Sequence, residues 1–125
     1  MMRALLLLTG AAAIACAAGC AAPAARAMAV VPGGDAERGA EVIRARECGT
    51  CHRIPGIRNA DGLAAPPLDW MARRTYIAGR APNNPETMVL WVRAPETIDP
   101  ATAMPNLGLS AQQSRDVAAY LFTLR

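Results

Sequence analysis

Apolar positions fall into two regimes along the chain. Residues 4–22 carry almost no polar side chain, whereas from residue 30 onward apolar and polar positions recur at helical spacing. Segment 35–47 places Ala36, Ala40 and Ile43 on one face, with its acids early, where a helix macrodipole favours them. Segment 85–94 opens with Asn84 as an N-cap, Pro85 at the first helical position and Glu86 next. It must end before Pro95, because proline disfavours helix at the preceding residue. Segment 111–124 follows Ser110-x-x-Gln113, a capping box, and aligns Val117, Tyr120, Leu121 and Leu124 in a stripe. A fourth, shorter helix is expected over 69–75. No segment alternates in the way a sheet requires, so the expected fold class is all-α: three main helices, one short helix and long loops.

The connections change this picture. Segments 53–68 and 95–109 are each about 15 residues long and rich in Pro, Gly and Asn, and loops of that length are uncommon in a compact domain unless they wrap something. A small helical protein whose loops outweigh its helices needs a partner for those loops to pack on. A bound prosthetic group fits that need.

The first regime reads as an export signal over 1–29, followed by a domain over 30–125. A basic start at Arg3, an apolar run rich in Ala rather than Leu or Phe, and the small residues Ala27 and Ala29 suit cleavage by signal peptidase better than a membrane anchor. Ala17-Ala18-Gly19-Cys20 offers a competing site, at which Cys20 would carry a lipid anchor. Both routes lead to the periplasm. Past residue 29 the chain has 11 Arg against 10 acids, and Lys is absent throughout. No basic stripe with interleaved aromatics exists, which excludes a nucleic-acid partner.

Only then does the chemistry come into view. Cys48-Gly49-Thr50-Cys51-His52 is Cys-x-x-Cys-His, the attachment sequence for haem c. Two thiols at that spacing reach two vinyl-derived carbons on one porphyrin edge, and the adjacent imidazole can then ligate iron. A thioredoxin-type pair would want a βαβ context, and a zinc site would need further ligands, yet His52 is the one histidine in the chain. The sixth iron position therefore calls for methionine. Met88 lies within a helix and Met71 follows Trp70 in an amphipathic stretch, so both read as core. Met104 sits between Pro100 and Pro105 in an irregular segment and is the expected second axial ligand.

These residues carry a resemblance to the small soluble monohaem cytochromes c of the mitochondrial and bacterial His/Met type. It rests on Gly34-Asp35-x-x-x-Gly39, Ile43, the haem motif, Pro66-x-Leu68, Pro95-x4-Pro100-x-Thr102-x-Met104-Pro105 and Asp116-Val117-Ala118-Ala119-Tyr120-Leu121. Segment 76–80, Tyr-Ile-Ala-Gly-Arg, is similar to a bacterial subgroup that accompanies respiratory oxidases. The resemblance implies a cytochrome c-type fold around one covalent haem, and a monomeric electron carrier rather than an enzyme. Its partners would be membrane respiratory complexes, with a terminal oxidase as acceptor.

It also implies roles for single residues. The Pro66 carbonyl would meet the second nitrogen of His52. Arg74 and Thr102 would approach the two propionates, and Trp91 would lie beside the methionine sulfur. Gly39 would let the first and last helices cross closely, with Ile43 and Tyr120 at the crossing. Ala65 and Trp70 stand where the family favours Gly, and Ile43 replaces an aromatic. The competing reading from another class is a haem enzyme or gas sensor with an open sixth site.

Overall fold

Asp35 starts the first helix by accepting a 2.8 Å hydrogen bond from the main-chain N–H of Arg38, an N-cap that satisfies one of the helix's unpaired donors. Helix α1 then runs Ala36–Ala45, with Glu37 in its first turn and Arg44 in its last. Helix α2, Pro85–Arg93, is capped by Asn84 accepting from Thr87 N at 2.9 Å. Helix α3, Ala111–Leu121, has the full capping box: Ser110 Oγ accepts from Gln113 N, and Gln113 Oε1 accepts from Ser110 N at 3.0 Å. The computed structural model describes residues 30–125. The expected export segment 1–29, with its cleavage site and Cys20, lies outside the described residues.

Helix α3 is the hub, packing on both α1 and α2. It crosses α1 at Gly39, where a Cβ would run into the main-chain carbonyl of Asp116 and stand 3.0 Å from Tyr120 Cβ. Only glycine permits that approach. Ile43, one turn on, is 1 % exposed, and Ala40, Val117, Ala118 and Leu121 complete the seam. Met88 and Val92 bring α2 into the same core, with Met88 fully buried. Met71 is buried as well, so both methionines expected in the core are found there.

A buried carboxylate seals the crossing. Asp116 is 3 % exposed and accepts from Asp35 N at 2.9 Å, from Arg38 Nε at 3.1 Å and Nη2 at 3.0 Å, and from Gln112 Nε2 at 2.9 Å. Gln112 also donates to Gly33 O, tying the segment before α1 to α3. With four donors on it, the carboxylate is well satisfied despite its burial. The bonds from Arg38 hold its pKa below the usual carboxylate value.

The expected helical fold class holds, with one short strand pair added: β1, Tyr76–Ile77, pairs antiparallel with β2, Ala81–Pro82. Ala78 and Gly79 both have positive φ, and Arg80 N donates to Ile77 O at 2.9 Å, which makes a tight turn within the three-residue link. Two-residue strands are too short to register as alternation. The helix expected over 69–75 is a single 3-10 turn, Met71–Arg73, because Trp70 before it is left-handed and Arg74 after it is extended. Helix α1 stops at Ala45 and α3 at Leu121, since Glu47 turns left-handed and the chain after Leu121 enters a turn.

The Asp116 carboxyl takes up its proton at lower pH when folded than when unfolded. Its stabilisation is complete above an unfolded value of about 4 and is lost as pH falls through the lower folded value. Asp116→Asn is expected to lose about 2 kcal/mol at neutral pH and to show a flatter acid limb, measured by urea unfolding across a pH series.

Candidate functional site

The end of α1 sets the site. Glu47 takes φ 53°, which breaks the helix and sends the chain into a 3-10 turn, Cys48–Thr50. His52 N donates to Cys48 O at 3.0 Å, so the turn brings both cysteines and the histidine into one tight unit. Cys48 is half-buried against the core and Cys51 is exposed, and both are free thiols. Burial pushes the Cys48 thiol pKa up.

Segment 53–68 folds back over this turn. Ile54, Ile57 and Ala60 are buried, and Ile54 N donates to Ala60 O at 2.9 Å. A Cβ at Gly49 would stand 2.7 Å from Ala60 Cα and Cβ, so glycine there lets the segment close. Gly62 N then donates to Gly49 O at 3.0 Å, and Ala65 N to Cys51 O at 2.9 Å. These bonds deliver the Pro66 carbonyl to 2.7 Å from His52 Nδ1. A carbonyl oxygen only accepts, so Nδ1 carries the proton and Nε2 is left as the nitrogen with a free lone pair.

The methionine segment is held by its own polar groups. The chain turns at Pro95–Thr97, Thr102 N donates to Asp99 O at 3.0 Å, and Met104 N donates to the Thr102 hydroxyl at 3.1 Å. Asn106 bonds Glu96 at 3.0 Å across the loop. Met104 itself is half-buried. Trp91 is partly buried against the core from α2. Arg74 directs its guanidinium to the carbonyl oxygens of Pro67 and Asp69, the latter at 3.2 Å. The structure thus brings His52 together with Pro66, places Arg74 on the same loop, and joins Thr102 to Met104. No hydrogen bond links the histidine side to the methionine side among the described residues.

Two supporting residues escaped the sequence reading. The Tyr120 hydroxyl donates to Pro55 O at 2.6 Å, pinning the segment after His52 to α3, and burial pushes its phenol pKa up. Gly56 beside it has φ 81°, and a Cβ there would fall 2.6 Å from that hydroxyl. Asn83 donates from Nδ2 to Met71 O at 2.8 Å and to Arg74 O at 3.0 Å, bracing the turn that carries Arg74. Tyr120 was legible as a packing residue, but its bond spans 65 positions and left no local signal.

The donor set fits haem c. Two unpaired thiols lie on one turn, an imidazole is locked in the tautomer that frees Nε2, and a thioether sits in a proline-bounded loop. A family model, Cytochrome c, matches residues 36–125. The chain belongs to the cytochrome c family. Its mostly helical fold is that of a small monohaem cytochrome c, and membership implies haem c as the prosthetic group. This cytochrome c is also similar to two longer proteins. It is 30% identical over 91 residues to cytochrome c oxidase subunit 2 of Alkalihalophilus pseudofirmus, covering 72% of this chain and 26% of that one. It is 29% identical over 87 residues to cytochrome c oxidase subunit 2 of Bacillus subtilis, covering 68% and 24%. The chain thus spans about a quarter of the length of each relative.

Tyr120→Phe removes the bond to Pro55 while keeping the ring at the helix crossing. The variant holoprotein is expected to lose about 1 kcal/mol of stability to denaturant, with faster amide hydrogen exchange confined to residues near Pro55.

Proposed function

We propose that this cytochrome c is an exported single-electron carrier with His52 and Met104 as axial ligands and Cys48 and Cys51 as covalent thioether anchors. The observation that carries the reading is the 2.7 Å contact of His52 Nδ1 with Pro66 O beside two free thiols, because it presents Nε2 in the orientation and tautomer a ligand needs. Haem c supplies a one-electron ferric/ferrous couple at this site. The chain's own groups do the rest. Met104 offers a soft sulfur, which favours the ferrous state, and the apolar residues around the attachment turn disfavour added positive charge. With His52 and Met104 both holding the iron, no position on it would be left for a substrate.

Arg74, Thr102 and Trp91 are proposed to act around the prosthetic group, the first two toward its propionates and the third beside the Met104 sulfur. Arg74 is engaged with two main-chain carbonyls, an arrangement that holds a guanidinium in place with donors to spare. Periplasmic export, monomeric state and a terminal oxidase as acceptor complete the proposal. The acceptor is supported by the likeness to oxidase subunit 2 of two bacteria, and export by the residues of segment 1–29.

Carbon monoxide separates the carrier from a haem enzyme or gas sensor. The reduced wild-type holoprotein is expected not to bind it within seconds, whereas reduced Met104→Ala binds it readily. Rapid binding by wild type, or an unchanged optical spectrum in the variant, would overturn the Met104 assignment.

Export is tested by mass spectrometry of the protein isolated from its native host. A mature chain beginning at Val30 supports a soluble shuttle, and a diacylated Cys20 supports a carrier tethered to the membrane.

A further inference from the structure

Segment 95–109 is hydrogen-bonded almost entirely to itself. Thr97 N donates to Ala94 O, Ile98 N and Asp99 N to Pro95 O, and Thr102 N to Asp99 O, each at 3.0 Å. Asp99 Oδ1 accepts from Ala101 N at 3.2 Å, the Thr102 hydroxyl from Met104 N at 3.1 Å, and Asn106 Oδ1 from Gly108 N at 3.0 Å. Asn106 spans the loop to Glu96. Among the described residues no hydrogen bond of this segment reaches beyond Ala94, which directly precedes it. The loop that carries Met104 therefore has a shape of its own, but no hydrogen bond fixes where that shape sits. One ion pair does: Arg80 Nε lies 3.6 Å from Asp99 Oδ2. No other ion pair among the described residues involves segment 95–109.

Each partner in the pair is itself held. Arg80 ends the link between β1 and β2, and its N–H donates to Ile77 O at 2.9 Å after the left-handed Ala78 and Gly79. Ile77, buried in the core, seats the strand pair. Asn83 closes its base, donating from N to Thr75 O at 2.9 Å and from its side chain to Met71 O and Arg74 O. Arg80 thus stands on the same braced unit as Arg74. On the loop, Asp99 gives its main-chain carbonyl to Thr102 and its Oδ1 to Ala101, which leaves Oδ2 to face the arginine. A chain of polar contacts therefore runs from Arg80 to Asp99, from Asp99 to Thr102 and from Thr102 to Met104. The Arg80 side chain is 60 % exposed and that of Asp99 18 %, so water and salt reach the pair from the arginine side.

We infer that Arg80 is a positioning residue for the axial sulfur: through Asp99 it fixes where the methionine loop sits relative to the unit that carries Arg74. The inference rests on Met104 as the second axial ligand and names the contact that keeps it in place. A pair this exposed adds little to global stability. A segment with no other polar tie feels it locally, because a loop opens against the contacts it makes itself and not against the whole core.

The test uses neutral imidazole, which can take the sixth position of the ferric holoprotein only while Met104 is off the iron. Its association rate at low concentration, followed by loss of the sulfur-to-iron charge-transfer absorption, reports how often the loop opens. Amide hydrogen exchange at Ala101, Thr102 and Met104 reports the same opening without reference to iron. At about 10 mM salt, Arg80→Gln is expected to raise both rates about fourfold. Asp99→Asn keeps an acceptor for Ala101 N while removing the charge, and gives the same rise. The double variant rises no further than either single one, since the two residues act through one contact. At about 1 M salt, where the screening length of about 3 Å falls below the separation of the pair, wild type reaches the rates of the variants, which do not change. Arg58→Gln, an equal loss of charge at an exposed position of segment 53–68, leaves both rates at wild type. Wild-type rates in Arg80→Gln, effects that multiply in the double variant, or a wild type indifferent to salt would each overturn the role of Arg80 while leaving Met104 ligation intact. So would a rise that merely tracks a lowered urea midpoint. A wild type that lacks the sulfur absorption and takes up imidazole as fast as Met104→Ala overturns Met104 ligation, and the role of Arg80 with it.

Discussion

The approach of α1 to α3 at Gly39 is the constraint on which the rest of the molecule depends. With no side chain at that position the two backbones come close enough for the Asp116 carbonyl to fill the space a Cβ would take. That contact sets where α1 lies against α3, and the haem-attachment turn begins three residues beyond its last helical residue. The same face of α3 then serves the site twice. Asp116 gathers Asp35, Arg38 and Gln112 at one end of the crossing, and Tyr120, one turn further on, reaches Pro55 at the other. The attachment turn is therefore gripped from before and after by a single helix.

Between the helices, rigidity comes from main-chain bonds and left-handed turns instead of regular structure. Glu47, Asn59, Trp70 and Ala78 all have positive φ without being glycine. Such residues cost about 1 kcal/mol or more each, and they persist where packing over-determines them. Trp70 illustrates how. It adopts the left-handed conformation that glycine favours and stacks its ring under Arg73 at 5.4 Å. Ala65 needs no such conformation and simply donates its N–H to Cys51 O. Loops fixed in this way hold ligands still, and an electron carrier gains from geometry that does not change with oxidation state.

Charge is arranged with similar economy. Several charged groups are held by partners: Arg53 by Asp69, Arg38 by Asp116, and Arg74 by the carbonyls of Pro67 and Asp69.

The sequence by itself determined the local features. The caps at Asn84 and Ser110 and the breaker Pro95 act within a few residues, so two helix starts could be read directly, and Cys48, Cys51 and His52 could be read as an attachment sequence because their spacing is itself a local property. The close approach at Gly39 and the Pro66 carbonyl were legible only through resemblance. Tertiary structure decided what depends on distant partners. The Asp116 cluster joins groups about 80 positions apart, and Tyr120 reaches Pro55 across 65. The strand pair at Tyr76–Ile77 and Ala81–Pro82 is too short to show a period. A buried carboxylate or a phenol looks the same in sequence whether it faces water or a carbonyl, because its partner is chosen by the crossing of helices and not by its neighbours in the chain.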